Sequence, residues 1–258
     1  LEKQFRMYKG GWSRTVSGIS SGGWMAAAQQ IYHPTDYAGA WVFSPDSMSF
    51  ETIGTADLYT EDSFFSYPTY APFSPLPRPD MINPDGTYAD IQEHYSHWEL
   101  ALGGGAVQAR SGSYDGIWGE NFAMWGPQGA DGYPAPFFDL YKGAIDHAVT
   151  AQMHDKDLAD YAVAHWPTIG KALRGKLHIW AGTKDAFFLN LGVESFQEHV
   201  AGLTSPAPGF GITYVPNAGH VWWPEVGRGG GLLGILREMA KTMKDAAPSH
   251  GAAWWYRK

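Results

Sequence analysis

The sequence has no cysteine among its 258 residues, which excludes disulfide bonds, thiolate nucleophiles and cysteine-ligated metal sites. It also has no apolar run that approaches the roughly 20 residues of a membrane-spanning helix. Positive charge is scarce, since 18 Lys and Arg face 26 Asp and Glu for a formal net charge of −8. Such a chain is repelled by nucleic acid and by anionic membranes. We therefore expect a soluble protein with no nucleic-acid partner and no membrane span.

Hydrophobic residues make up 44% of the chain and aromatic residues 15%, which is enough for a globular core. The chain begins at Leu1, and residues 1–6 resemble the end of an amphipathic helix more than a signal peptide. We expect an N-terminally incomplete chain, with any signal peptide upstream of Leu1. Oligomeric state and localisation stay open.

Short β-branched or apolar runs alternate with helical patterns, and this alternation predicts an α/β fold with a mainly parallel sheet. The predicted strands are 14–17, 38–43, 177–181 and 212–215, and the predicted flanking helices are 22–32, 191–203 and 232–244.

The alternation of predicted strands and helices does not continue between residues 50 and 176. Residues 66–85 hold six prolines and predict irregular loop, and residues 88–102 predict an amphipathic helix. Further helices are predicted at 138–150 and 157–166, and the acidic run that opens the second suits a helix N-terminus better than a cation site. We interpret the region as a helical and loop cap. The predicted organisation is an elbow-bearing core segment 1–50, a cap 51–175, and a C-terminal core segment 176–258.

A G-x-S-x-G pattern at Gly18, Ser20 and Gly22 follows the first predicted strand and precedes the first long helix. This pattern is typical of a nucleophile elbow, in which glycines let strand and helix pack closely around a strained serine. Ser20 is therefore the candidate nucleophile. The backbone N–H of Ser21 is the candidate oxyanion donor, because the residue after the nucleophile supplies one.

A serine hydroxyl needs a base, and His220 is the best placed because it follows the predicted strand 212–215. The acid that orients the histidine is expected beyond another strand end. Asp185, after strand 177–181, completes the order Ser–Asp–His of α/β-hydrolases, and Asp46 after strand 38–43 is the rival. Otherwise, Asp46 is a turn residue or part of a cleft wall.

The motifs around Ser20, Asp185 and His220 resemble those of the esterase group of the α/β-hydrolase superfamily, which includes esterase D, enterochelin esterases and feruloyl esterases. Two further segments, 126–136 and 165–170, resemble the corresponding segments of uncharacterised bacterial members of this group, which have an aromatic-rich insert. The resemblance implies carboxylic-ester hydrolysis, with Ser20, Asp185 and His220 as the triad. Residues 1–17 supply only the elbow strand, so the chain is expected to be the C-terminal portion of the fold, and the second oxyanion donor has no candidate.

The function expected is a serine carboxylesterase that forms an acyl-enzyme on Ser20, with no cofactor and no metal. An acyltransferase with the same triad and a non-catalytic module with an aromatic binding cleft are the alternatives. The substrate is expected to be a small ester, with aromatic and sugar esters both open. Each aromatic candidate for the pocket could equally pack in a core; the pocket candidates are Trp24, Asp46, Trp118, Phe122, Trp125, Tyr133, Trp222 and Trp223.

Overall fold

The computed structural model describes residues 2–5, 8–68, 74–102, 116–220, 222 and 230–248. Its strands are β1 Val16–Ser20, β2 Ala40–Pro45, β3 Pro79–Ile82, β4 Tyr88–Ile91, β5 Leu177–Gly182 and β6 Gly211–Val215. Its α-helices are α1 Glu2–Phe5, α2 Ser21–Tyr32, α3 Gln92–Leu102, α4 Ile117–Trp125, α5 His147–Thr150, α6 Leu158–Leu173, α7 Leu189–Ala201 and α8 Gly231–Ala246. Two 3₁₀ turns lie at Gly11–Ser13 and Phe50–Thr52.

The chain folds as two compact units. The first comprises Leu1–Asp46, Ala162–Thr183 and Gln197–Lys258, and the second comprises Ser47–Tyr161 and Lys184–Phe196. The fold class is α/β, as the sequence predicts. The division into core segments 1–50 and 176–258 around a cap 51–175 stays a prediction.

The first unit is built on a parallel four-stranded sheet with the strand order β1-β2-β5-β6. All six residues of β2 are buried, as expected for a strand covered on both faces. Two of its rings stack on rings of the neighbouring strand β5, with the centroids of Trp41 and His178 4.7 Å apart and those of Phe43 and Trp180 5.1 Å apart. Because parallel strands share a polarity, the loops after β1, β2, β5 and β6 all leave one edge of this sheet.

Helix α2 packs on β1 and β2 through a row of small and apolar side chains that includes Ala27 and Ile31, both fully buried. The close packing requires glycine, since a Cβ on Gly23 would lie 3.0 Å from the Phe43 carbonyl oxygen. On α8, Ile235 and Met239 join a cluster with Trp41 and Phe43. The start of α2, where the chain leaves β1, therefore lies directly against the backbone of β2.

The first strand lies later in the chain than the predicted range 14–17, because β1 spans Val16–Ser20. Parallel pairing with β2 carries the strand through Gly18 and up to Ser20, although glycine and serine are weak strand formers. The strand thus delivers Ser20 at its last residue.

The second unit has an aromatic core. The rings of Phe64 and Phe138 stack with their centroids 4.2 Å apart, and the ring of Trp118 contacts both of them edge-on. Phe122 and Phe137 form a further edge-on pair at 4.8 Å. Edge-on and offset ring contacts are the arrangements that aromatic quadrupoles favour.

The same unit holds a two-stranded antiparallel sheet of β3 and β4, which corrects two predictions. Residues 66–85 are not wholly irregular, because they contain β3, and the helix predicted at 88–102 begins only at Gln92. Pairing with β3 extends residues 88–91 despite their helical periodicity. The helix predicted at 138–150 is wrong over most of its length, since only His147–Thr150 is helical and an isolated bridge pairs Phe138 with Ile145.

Two buried polar groups hold the loops of the second unit. Arg78, 1% exposed, pairs with Glu61 and donates to the Ser66 carbonyl oxygen at 3.1 Å. Asp157 accepts from the backbone N–H of Ala159 at the start of α6, so the acidic run opens that helix, as predicted. Among the described residues, no helix is long and apolar enough to cross a membrane.

Candidate active site

Ser20 sits at the junction between β1 and α2. Its backbone has φ 58° and ψ −130°, a conformation that non-glycine residues rarely adopt and that stores strain. The turn is tight, since a Cβ on Gly18 would lie 2.0 Å from the Gly22 carbonyl oxygen. The glycine before Ser20 is therefore required by the packing of the turn. A strand, a strained serine and a helix follow one another as in a nucleophile elbow.

The hydroxyl of Ser20 does not cap the N-terminus of helix α2. Serine at an N-cap usually accepts a hydrogen bond from the first helical turn, but within the described helix α2 Ser20 makes no such side-chain bond. Its Oγ lies instead 3.0 Å from His220 Nε2. A nucleophile and a base at this separation are within direct hydrogen-bond reach.

The loop after β6 carries His220 and is fixed to the end of β5. The Asn217 N–H donates to Thr183 Oγ1 at 2.9 Å, and the Ala218 N–H donates to the Val215 carbonyl oxygen at 3.2 Å. A Cβ on Gly182 would meet the Ala218 and Gly219 carbonyl oxygens at 2.4 Å, so the loop lies directly against the strand end. These contacts place the His220 ring at the carboxyl edge of the sheet.

Asp46 also faces Ser20, with its Oδ1 3.4 Å from Ser20 Oγ. The register of β1 and β2 shifts between Ile19 and Ser20, so that Ser20 pairs with Pro45 and Ser44 becomes an extra residue with φ 35°. This bulge turns the chain after β2 toward the elbow. The Asp46 N–H then donates to the Ser20 carbonyl oxygen at 3.2 Å, and the side chain is 8% exposed.

No protein-family model and no curated protein sequence matches this chain. The chemistry of the site therefore rests on Ser20, His220 and the residues around them. Among the described residues, no group of three or more His, Cys, Asp or Glu side chains is arranged to hold a metal ion.

Asp185 belongs to the second compact unit and comes three residues after the end of β5. Its side chain is 2% exposed, and Oδ1 accepts a hydrogen bond from the Phe187 backbone N–H at 3.0 Å. A carboxylate so deeply buried needs several hydrogen-bond partners. The assignment of Asp185 as the acid of a triad stays a prediction.

Ser21 is the first residue of the 12-residue helix α2. The first N–H groups of a helix have no acceptor within it, and the helix dipole adds partial positive charge at that end. The Ser21 N–H is thus well suited to an oxyanion that forms beside Ser20. The geometry offers this donor independently of any side chain.

Most of the aromatic side chains that were candidates for a substrate pocket are buried. Trp118, Phe122 and Trp125 are 6%, 0% and 2% exposed and belong to the aromatic core of the second unit, which favours the packing alternative for all three. Trp24 is buried on α2, in the first unit. Tyr133 is 45% exposed on a loop.

Trp222 is half-buried. Trp223 lies outside the described residues.

The proximity of Asp46 to Ser20 is the feature of the site that the sequence indicates only as an alternative. Chain order favoured Asp185, and Asp46 was only the rival acid. The bulge at Ser44 depends on strand register, which the sequence does not reveal. The Ser-Pro-Asp turn directly after a buried strand was the one available signal.

Proposed function

We propose that this protein is a serine hydrolase of carboxylic esters, with Ser20 as nucleophile and His220 as general base. The observation that carries the proposal is the 3.0 Å approach of His220 Nε2 to the hydroxyl of a strained strand-to-helix serine. The two residues lie 200 positions apart in the sequence. The contact therefore joins two segments that only the fold brings together.

Ser20 Oγ attacks the ester carbonyl carbon while its proton passes to His220 Nε2. The tetrahedral intermediate carries its negative charge on the former carbonyl oxygen, near the N–H of Ser21. Collapse breaks the bond to the alcohol oxygen, which takes the proton from His220 and leaves. Water then attacks the acyl-enzyme, gives a proton to His220, and releases the acid as Ser20 recovers its proton.

Asp185 is the carboxylate that we propose for orienting His220. β5 and β6 are neighbouring parallel strands whose last residues, Gly182 and Val215, pair in register. Asp185 follows the first strand by three residues, and His220 follows the second by five. An acid and a histidine that leave adjacent strand ends are the usual partners in α/β-hydrolases.

Hydrolysis of p-nitrophenyl acetate and butyrate tests the proposal. Ser20→Ala and His220→Ala should each reduce kcat/KM by at least about 10³-fold, because members of a triad act as a unit. Asp185→Asn should reduce kcat by at least about 10²-fold, through loss of the orienting carboxylate. Ser17→Ala, on the exposed side of the same strand, and His33→Ala, at an exposed position, are the matched controls.

Hydrolysis that survives Ser20→Ala would contradict the proposal. Product analysis with and without an added alcohol then distinguishes hydrolysis from transfer, since transfer yields a new ester at the expense of free acid. The triad chemistry is common to both, because the acyl-enzyme forms in the same way.

A further inference from the structure

The second unit contains an open cavity of about 350 Å³ that the proposed ester chemistry does not use. The residues that line it are polar or aromatic, except for one alanine: Tyr59, Thr60, His147, Thr150, Ala151 and His154. All six belong to the second compact unit, so the cavity lies within one folded unit. A concave site with several converging polar groups is the usual form of a small-molecule site.

The two histidines of the cavity wall are each paired with an aspartate. His154 Nδ1 lies 2.6 Å from Asp160 Oδ2, and His147 Nε2 lies 3.4 Å from Asp62 Oδ1. An ionised carboxylate has only acceptors, so the ring nitrogen that contacts it carries the proton. In a neutral imidazole, the other nitrogen is then an acceptor, Nε2 on His154 and Nδ1 on His147.

Two hydroxyls of the wall donate their protons to carboxylates in the same way. Thr60 Oγ1 donates to Asp57, and the Tyr59 hydroxyl donates to Asp157 Oδ2 at 3.2 Å. Burial, followed by the charge of Asp157, raises the pKa of Tyr59 above its usual range, so the phenol keeps its proton at neutral pH. Each oxygen still has lone pairs, so the wall offers a ligand acceptors and few donors.

The surroundings of the cavity are negatively charged. None of the described residues that line it is Lys or Arg, whereas four aspartates lie directly behind the wall: Asp57, Asp62, Asp157 and Asp160. Burial raises the pKa of Asp157 to about 6, so this carboxyl is also ionised at pH 8. An anionic ligand is therefore repelled, and a positively charged ligand is attracted.

The wall also has a flat aromatic surface. The rings of Tyr59 and His154 stack with their centroids 4.4 Å apart and their planes inclined by 9°. The His154 side chain is 55% exposed, so part of this surface is accessible. Aromatic faces attract ligand cations and pack against hydrocarbon. A bare metal ion fits less well, because within the described part of the chain no three His, Asp or Glu side chains are arranged to hold one.

We infer that this cavity binds the ammonium group of a small organic amine. A primary ammonium group brings the positive charge that the surroundings attract and the three N–H donors that the wall lacks. His154 Nε2 and His147 Nδ1 accept two of these donors, and the hydrocarbon part of the amine packs against the stacked rings. The site is separate from Ser20, so the inference holds whether or not the protein hydrolyses esters.

Three ligands of four carbon atoms each test the inference by titration at pH 8, where imidazole is neutral and an alkylamine is charged. n-Butylammonium has the charge and three donors, tetramethylammonium has the charge without a donor, and 1-butanol has a donor without the charge. The ring Hε1 signals of His147 and His154 report binding by NMR, each assigned by its loss in a substitution variant. We expect n-butylammonium to bind at least about tenfold more tightly than either of the other two, because only it satisfies both requirements.

His154→Leu should weaken the binding of n-butylammonium at least about tenfold, because it removes an acceptor and half of the stacked pair. His94→Leu is the matched control, since His94 is also an exposed histidine 3.4 Å from an aspartate but lies outside the cavity. It should leave the affinity within about twofold of wild type, as expected for a distant site. Circular dichroism checks the fold, and His147→Leu replaces His154→Leu if the latter is unfolded.

Tetramethylammonium that binds as tightly as n-butylammonium would overturn the inference, because the site would then recognise charge alone. Equal binding of 1-butanol would overturn it as well. Affinity for n-butylammonium that is the same in wild type, His154→Leu and His147→Leu would place the amine on the acidic surface in general. No saturation at any His147 or His154 signal up to about 50 mM n-butylammonium, a generous limit for a ligand of five heavy atoms, would also refute the site.

Discussion

Gly18 and Gly22 are both fixed positions of the G-x-S-x-G pattern, yet the structure gives them opposite tolerance to a side chain. A Cβ on Gly18 would lie 2.0 Å from the Gly22 carbonyl oxygen and 2.2 Å from its carbon, whereas a Cβ on Gly22 would have nothing within 4 Å. Since both neighbours of the Gly18 position are backbone atoms, no side-chain rotation can relieve the overlap. The turn itself must open by more than an ångström.

We expect Gly18→Ala to destabilise the protein by at least about 3 kcal/mol, at the upper end of overpacking in a core. For a domain of this size, that corresponds to a fall in Tm of roughly 6–12 °C. Gly22→Ala should be neutral or stabilising by about 0.5–1 kcal/mol, because Gly22 lies in the first turn of α2 and alanine favours a helix.

Thermal unfolding followed by circular dichroism measures both variants without assuming any activity. Where Ser20-dependent esterase activity is present, Gly18→Ala should also reduce kcat/KM by about 10²-fold or more, because a displacement of about 1 Å is enough for such a loss. Gly22→Ala should stay within threefold of wild type. Equal Tm values for the two variants would refute the described packing of the elbow.

Two further predictions concern buried charge. Burial, with the charges of Asp90 and Glu99 nearby, raises the pKa of Asp80 to about 7. The folded protein thus keeps a proton that the unfolded chain loses near pH 4, and stability falls as the pH rises to 7. Asp80→Asn should therefore gain about 2 kcal/mol over wild type between pH 5 and pH 8 in urea unfolding; a constant difference would contradict this. Glu61→Gln leaves the buried guanidinium of Arg78 without a carboxylate to balance its charge and should lose about 3 kcal/mol, whereas Asp245→Asn, in an exposed pair, should stay within about 0.5 kcal/mol; equal losses would refute the difference.

The α/β class and the sheet strands could be predicted because buried parallel strands appear as short apolar runs between helical patterns. For this reason, the predicted ends of β2 and β5 lie within two residues of the ends in the structure. The errors lie where pairing overrides local preference. Residues 88–91 carry a helical stripe and yet pair with β3, and β1 extends to Ser20 through residues that are weak strand formers.

At the site, the G-x-S-x-G pattern between a predicted strand and a predicted helix indicated Ser20, and the position after a predicted strand indicated His220. The sequence placed Asp46 near the site only as the rival to Asp185, because its close approach to Ser20 depends on the single extra residue Ser44 in the register of β2 against β1. Likewise, composition suggested an aromatic cleft without showing that Trp118 and Phe122 are buried in a core.

Covalent labelling by a fluorophosphonate, followed by intact mass and peptide mapping, tests most directly whether His220 activates Ser20. The wild-type protein should gain one adduct, on the peptide that contains Ser20, and Ser20→Ala should gain none. His220→Ala should slow the labelling by at least about 10²-fold, because the hydroxyl then lacks its base. An adduct on another residue, or labelling of His220→Ala at the wild-type rate, would contradict the proposed site.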